Sequence, residues 1–161
     1  MLIFDINCNL EYNKNMKGLT NEDYAYFAGL MDGEGSFMIG KHFSKTSHCG
    51  KRGWIWELKA SIGMSDKQAL NWILRKFNKK RLRVAVSTKS RTMYHLSFYS
   101  GELRVFLPNL IPFLKVKKQQ AILLNKCINI IKPKSSSIVD KFLNKAYLRM
   151  KILNHSKFAP K

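Results

Sequence analysis

In the stretch YFAGLMDGEGSF, the types and spacing of Gly29, Gly33 and Glu34 could do chemistry. Gly29 and Gly33 are four apart, so they fall on one face of a helix, close to Ala25 and Asp32. An isolated glycine costs about 1 kcal/mol in a helix interior relative to alanine. A second helix packed on that face offsets the cost, because small residues let two backbones approach closer than the usual ~8–10 Å between axes. Two copies of the helix crossed at their glycines would bring their C-terminal ends together, and with them two Glu34 carboxylates. Two such groups repel unless a cation lies between them. Their oxygens suit Mg²⁺, which keeps waters and shares phosphate oxygens; the arrangement is that of metal-assisted phosphodiester hydrolysis. A plainer reading makes Gly33 and Gly35 helix terminators and Glu34 a solvated charge. It leaves Gly29 unexplained.

The elements that must position these residues are legible from period and punctuation. Thr20, with Asp23 three residues later, opens a helix that runs over 24–32 and stops at Gly33-Glu34-Gly35. A strand follows over 36–42. In WELKASIGM, Trp56, Leu58, Ala60, Ile62 and Met64 alternate with Glu57, Lys59, Ser61 and Gly63, the pattern of a strand with one apolar face. Ser65 and Gln68 form a capping box for an amphipathic helix with Leu70, Ile73, Leu74 and Phe77 on one side. Two more strands are expected over 82–87 and 92–99, then a helix over 102–107 that Pro108 and Pro112 end. Helices over 117–131 and 137–153 complete the chain. The order α-β-β-α-β-β-α-α implies an α+β domain with a four-stranded antiparallel sheet over residues 19–161, preceded by a loosely held arm over 1–18.

The chain has 161 residues, of which 29 are Lys or Arg and 10 Asp or Glu, for a net charge of +19. That imbalance concerns partners rather than fold. Nucleic acid leads, since Lys and Arg displace counterions from phosphates; a membrane partner is not expected, for want of a basic helix with a bulky apolar face. Cys8, Cys49 and Cys127 are scattered and form no CxxC pair, which argues against a disulfide framework or a zinc ribbon. No apolar run reaches the ~18 residues of a membrane span, and the first residues match neither a secretory nor a transit peptide. The abundance of Lys, Asn, Ile, Phe and Tyr is what AT-rich codons encode, a hint of an organellar gene, such as a mitochondrial one. On the wet face of the strands stand Lys59, Ser61, Arg83, Ser87, His95 and Ser97, with Glu57 the acid among them. Such a face on so basic a chain suits a DNA groove.

FAGLMDGEG, from Phe27 to Gly35, with Ser36 after it, strongly resembles the signature of the LAGLIDADG homing endonucleases, with Glu34 in place of the usual last Asp. PFLKVKKQQA looks like a second stretch shared with single-motif members, and the resemblance covers about residues 20 to 153. It implies a homodimer whose motif helices form the interface, with Ala25, Ala28, Gly29, Asp32 and Gly33 on it. Glu34 would bind the divalent metal, Mg²⁺ for cleavage and Ca²⁺ as a non-cleaving substitute, with the Gly33 carbonyl as an extra ligand. Lys117 matches the family's active-site lysine and would polarise solvent or offset charge on the scissile phosphate. Asp66 stands where the family places a polar residue; it either orients the attacking water or complements a helix N-terminus. Leu70 departs from a basic residue of some relatives, with Lys67 or Lys59 as substitutes.

The implied activity is cleavage of both strands of a long pseudo-palindromic DNA target, on the order of 20 base pairs, leaving short 3′ overhangs. Ser36, Met38, His42, Glu57, Lys59, Ser61, Arg81, Arg83, Ser87, Arg91, His95, Ser97 and Lys115 are the expected DNA contacts, with the runs Lys79-Lys80-Arg81 and Lys115-Lys117-Lys118 on phosphates. The alternatives are an RNA-binding intron maturase of the same fold, acting on its own intron RNA, and a DNA-binding regulator that does not cut.

Overall fold

A computed structural model describes residues 18–44, 53–77, 83–86, 92–131 and 137–155. The elements run α1 (Asn21–Glu34), β1 (Gly35–Ser44), β2 (Gly53–Met64), α2 (Lys67–Lys76), β3 (Arg83–Val86), β4 (Thr92–Tyr99), α3 (Ser100–Leu110), a 3₁₀ turn (Ile111–Phe113), α4 (Lys118–Ile130) and α5 (Ser137–Asn154). The sheet is antiparallel with strand order β1-β2-β4-β3, and β3 is a short edge of four residues. The α+β architecture expected from the sequence is thus present. The arm expected over 1–18 lies, Gly18 apart, outside the described residues.

Local chemistry explains the element ends. Thr20 and Asp23 form the expected capping box: the Thr20 hydroxyl accepts from the Asp23 N–H at 3.2 Å, and the Thr20 N–H donates to Asp23 Oδ2 at 3.1 Å. At the start of α2 the expectation is corrected. The cap is Asp66, not Ser65, and Asp66 Oδ1 accepts from the Gln68 N–H at 2.7 Å, an ionised acceptor facing the positive end of the helix. Pro108 also behaves differently from expectation, since α3 continues through it to Leu110. Phe106, Leu107 and Leu110 are fully buried and hold that turn in place despite the missing N–H.

One core fixes α1 against the sheet. Phe27 meets Phe77, Phe98 and Phe106 at ring separations of 4.7, 5.7 and 5.8 Å. Phe98 and Phe106 close the cluster at 5.0 Å, and such pairs contribute about 0.5–1.5 kcal/mol each beyond the area they bury. Ala28 and Met31 join Phe27 on the inner face of α1, fully removed from solvent. Helical geometry then turns Ala25, Tyr26, Gly29 and Gly33 outward, and all four are exposed. Among the described residues the helices back the face that carries Phe37, Leu58, Ala60, Ile62 and Phe98 and leave most of the other open, where Tyr147, Met150 and Lys151 of α5 line a hollow with Met38, Glu57 and Lys59. Asn154 of α5 donates to the Phe37 carbonyl at 2.9 Å, so part of the free edge of β1 is covered.

Candidate nucleic-acid interface and carboxylate site

The open face of the sheet is built by alternation. Phe37, Ile39, Leu58, Ala60, Ile62, Leu96 and Phe98 point into the core, so Ser36, Met38, His42, Glu57, Lys59, Ser61, His95 and Ser97 point away from it. Register assembles them into rows across the strands. Ser36 lies opposite Ser61, and Ser61 opposite Ser97; Met38 lies opposite Lys59, and Lys59 opposite Tyr99. Arg83 pairs with His95, and His95 with Gly63. The Ser36 and Ser61 hydroxyls are 3.0 Å apart, and the Lys59 ammonium sits 5.9 Å from the Tyr99 ring centre. Hydroxyls, an imidazole and an ammonium at strand spacing can donate and accept along base edges. Tyr99 was not singled out from the sequence; its place in these rows depends on which strands pair. Arg81, Ser87 and Arg91 lie outside the described residues.

At the end of α1, Glu34 is exposed, and Gly29 and Gly33 have nothing within 4 Å of where a Cβ would stand. Among the described residues, nothing therefore packs against the helix face at Gly29 and Gly33. Gly35 is a different case. A Cβ there would meet the Met31 side chain and backbone at 2.6–2.7 Å, so glycine is needed for room. Its φ of −86° is extended rather than left-handed, yet Gly35 is the C-cap at which α1 ends, as expected; Gly33 lies within the helix, which corrects the terminator reading for Gly33 alone.

Of the residues expected on the interface, one faces the protomer's own core and another is hydrogen-bonded within the protomer. Ala28 is fully buried in the protomer's own core, because it follows Phe27 on the inward side of the helix. Asp32 spends its carboxylate within the protomer: Oδ2 accepts from the N–H groups of Lys115 and Val116 at 2.7 and 3.1 Å, and Oδ1 from that of Lys117 at 2.8 Å. Partial burial pushes the Asp32 carboxyl up, but these three N–H groups and the Lys117 charge outweigh it and hold the group below the usual carboxylate range. The Lys117 ammonium donates to the carbonyls of Met31, Gly33 and Gly35 at 3.0, 3.5 and 2.7 Å. Burial lowers its pKa, against the attraction of Asp32 and Glu34.

Glu34 and Lys117 are thus brought together. Asp66 is not linked to them by a hydrogen bond or ion pair among the described residues; it lines a hollow with Glu22, Asp23, Tyr26 and Trp72. Glu22 and Glu34 are twelve residues apart on α1, about 18 Å at ~1.5 Å per residue. Leu70 is fully buried, so a basic residue there would lose its hydration. Of its two substitutes, Lys59 stands on the open face and Lys67 packs 5.6 Å from the Tyr94 ring centre. No group of three or more His, Cys, Asp or Glu side chains able to hold a metal occurs among the described residues. A carboxylate and a backbone carbonyl are nonetheless hard oxygen donors of the type Mg²⁺ takes, and the exposure of Glu34 leaves the remaining positions to water, phosphate or a second copy.

The fold, a four-stranded antiparallel sheet with helices packed on it, is shared with solved structures of LAGLIDADG homing endonucleases. The chain is similar to the archaeal intron-encoded homing endonuclease I-Vdi141I complexed with DNA, at 19% identity and a TM-score of 0.66, over 83% of this chain and 84% of that one. It is similar also to I-CvuI in complex with the I-CreI target, at 15% identity and a TM-score of 0.65, over 82% of each chain. I-GzeII in complex with its DNA target matches at 17% identity and a TM-score of 0.58, over 86% of this chain and 50% of that one. No protein-family model and no curated protein matches the sequence.

Proposed function

We propose that the chain is a site-specific DNA endonuclease that acts as a homodimer and hydrolyses both strands of a long, near-palindromic target with Mg²⁺. The observation that carries this reading is the exposed Glu34 at the end of a helix whose Gly29–Gly33 face is open. Crossing two such helices sets two carboxylates side by side, where a divalent cation can activate water and stabilise the leaving oxygen. The open sheet face supports DNA as the substrate. β1 has ten residues, about 33 Å at ~3.3 Å each, close to one turn of B-DNA at ~34 Å. Two subunits would cover about two turns. Ala25, Gly29 and Gly33 form the interface, and Glu34 with the Gly33 carbonyl supplies protein ligands to the metal, Ca²⁺ occupying the site without cleavage. An intron-encoded, organellar gene is consistent with the codon-related composition.

The test is incubation with Mg²⁺ and DNA carrying the uninterrupted form of the gene's insertion locus, with the ends mapped on both strands. Two staggered cuts near the centre of one site are expected. Tight binding without a cut would replace the reading by that of a regulator, and binding confined to intron RNA by that of a maturase.

A further inference from the structure

Asp32 is tied to the segment that carries Lys117 by three hydrogen bonds spanning 83 to 85 residues of chain. The three N–H groups it accepts from are consecutive and lead into α4, whose N-cap is Lys117. Donors at such a helix entrance have no partner within the helix, and an ionised carboxylate is a strong acceptor for them. With the Lys117 backbone so fixed, its side chain returns to the end of α1. An ammonium has three donors; here they are directed at the carbonyls of Met31, Gly33 and Gly35, which bracket Glu34. These are carbonyls at the negative end of the helix, where a cation is favoured. The links form a ring. It leaves α1 through the Asp32 carboxylate and returns to the same turn through the Lys117 ammonium, with Glu34 inside it.

We infer that Asp32 is a positioning residue for Glu34, acting through Lys117, whose ammonium clamps the Glu34 turn. The inference rests on the reading of Glu34 as the metal-binding carboxylate. A carboxylate on a frayed last turn would sample many directions, whereas a metal ligand must be held in one. Asparagine cannot replace Asp32 in the ring, because a carboxamide has a single acceptor oxygen and its NH₂ would face an N–H.

Two measurements on the full chain test this. The first is amide hydrogen exchange of the metal-free, DNA-free protein at Gly35, whose N–H bonds to the Met31 carbonyl. Asp32→Asn and, separately, Lys117→Met are each expected to speed exchange at Gly35 at least tenfold, with Ala60 and Phe98 in the core strands unchanged. Lys117→Met leaves the Asp32 bonds in place, so it tests the ring even where Asp32→Asn folds poorly. The second is single-turnover cleavage with Mg²⁺ at saturating protein, with DNA affinity measured in Ca²⁺. Each variant should cut at least tenfold more slowly while affinity changes less than threefold. The double variant should be within twofold of Lys117→Met, since residues acting in series do not add. Unaltered exchange at Gly35 in both variants, or losses that multiply in the double variant, would overturn the inference. A wild-type protein that cuts no DNA would overturn the role assigned to Glu34, and the exchange measurement would still decide whether the ring holds its turn.

Discussion

The imidazole of His95 lies over Gly63 on the neighbouring strand, so close that a methyl group at Gly63 would stand 2.5 Å from Nδ1. The two residues are directly paired in the register of β2 and β4, and Arg83 follows on β3. The glycine thus sets how flat His95 lies on the open face. Gly63→Ala is expected to tilt the imidazole away without harming the fold. The ring is a movable obstacle, and alanine is favoured over glycine in a strand by roughly 0.5–1 kcal/mol. Thermal unfolding should move by a few degrees at most, while affinity for the DNA target falls. Equal affinity of the two proteins would remove His95 from the contact surface.

Gly29→Leu addresses the helix face. Space around Gly29 is open among the described residues, and leucine has the higher helix propensity by about 0.8 kcal/mol. The protomer should fold at least as well. A leucine on each copy would hold the two backbones apart, so sedimentation should show the monomer mass at concentrations where the wild type sediments as a dimer. A dimer of unchanged affinity would place the interface elsewhere.

Strand positions were readable because burial imposes period two: Leu58, Ala60, Ile62 and Met64 are all buried as the alternation requires. The start of α1 was readable because a capping box is local, its two partners lying three residues apart. Ala25 and Ala28 look alike as members of a small-residue stripe, however. Only the packing of Phe27 and Met31 against the sheet shows that Ala28 faces in and Ala25 out. Asp32 was legible as part of a motif but not as an acceptor, since its three donors lie 83 to 85 residues away. Pro108 misled because its local cost is real, yet tertiary burial of the surrounding turn exceeds it.

The Cys127 thiol is fully buried in α4, and burial pushes its pKa up to about 11. The thiolate is the reactive form. In a variant with Cys8→Ser and Cys49→Ser, a thiol reagent at pH 8 should therefore leave Cys127 unmodified in the native protein and label it on unfolding by denaturant. Rapid labelling of the native protein would mean that α4 opens readily.

Asp66 separates two roles by one substitution pair. As the cap of α2 it accepts from the Gln68 N–H, and Asp66→Ala should cost about 0.5–2 kcal/mol. Asparagine caps comparably, so Asp66→Asn should restore stability as read from denaturant unfolding. Cleavage by Asp66→Asn is expected within threefold of wild type. A rate that collapses while stability holds would give Asp66 a part in orienting water.

Glu34→Gln bears most directly on the proposed chemistry. Glu34 is exposed and makes no hydrogen bond among those resolved between described side chains, so removing its charge should leave folding and dimer mass intact. An amide oxygen is a weaker ligand for Mg²⁺ than a carboxylate, and two copies of the change would remove both charges from the metal site. Cleavage in Mg²⁺ should fall at least a thousandfold, while affinity for the same DNA in Ca²⁺ stays within about threefold, because sheet contacts and phosphate contacts supply it. Cutting at the wild-type rate would exclude Glu34 from the metal site. Loss of cutting together with loss of binding would mean that the carboxylate supports the DNA-bound dimer rather than the reaction.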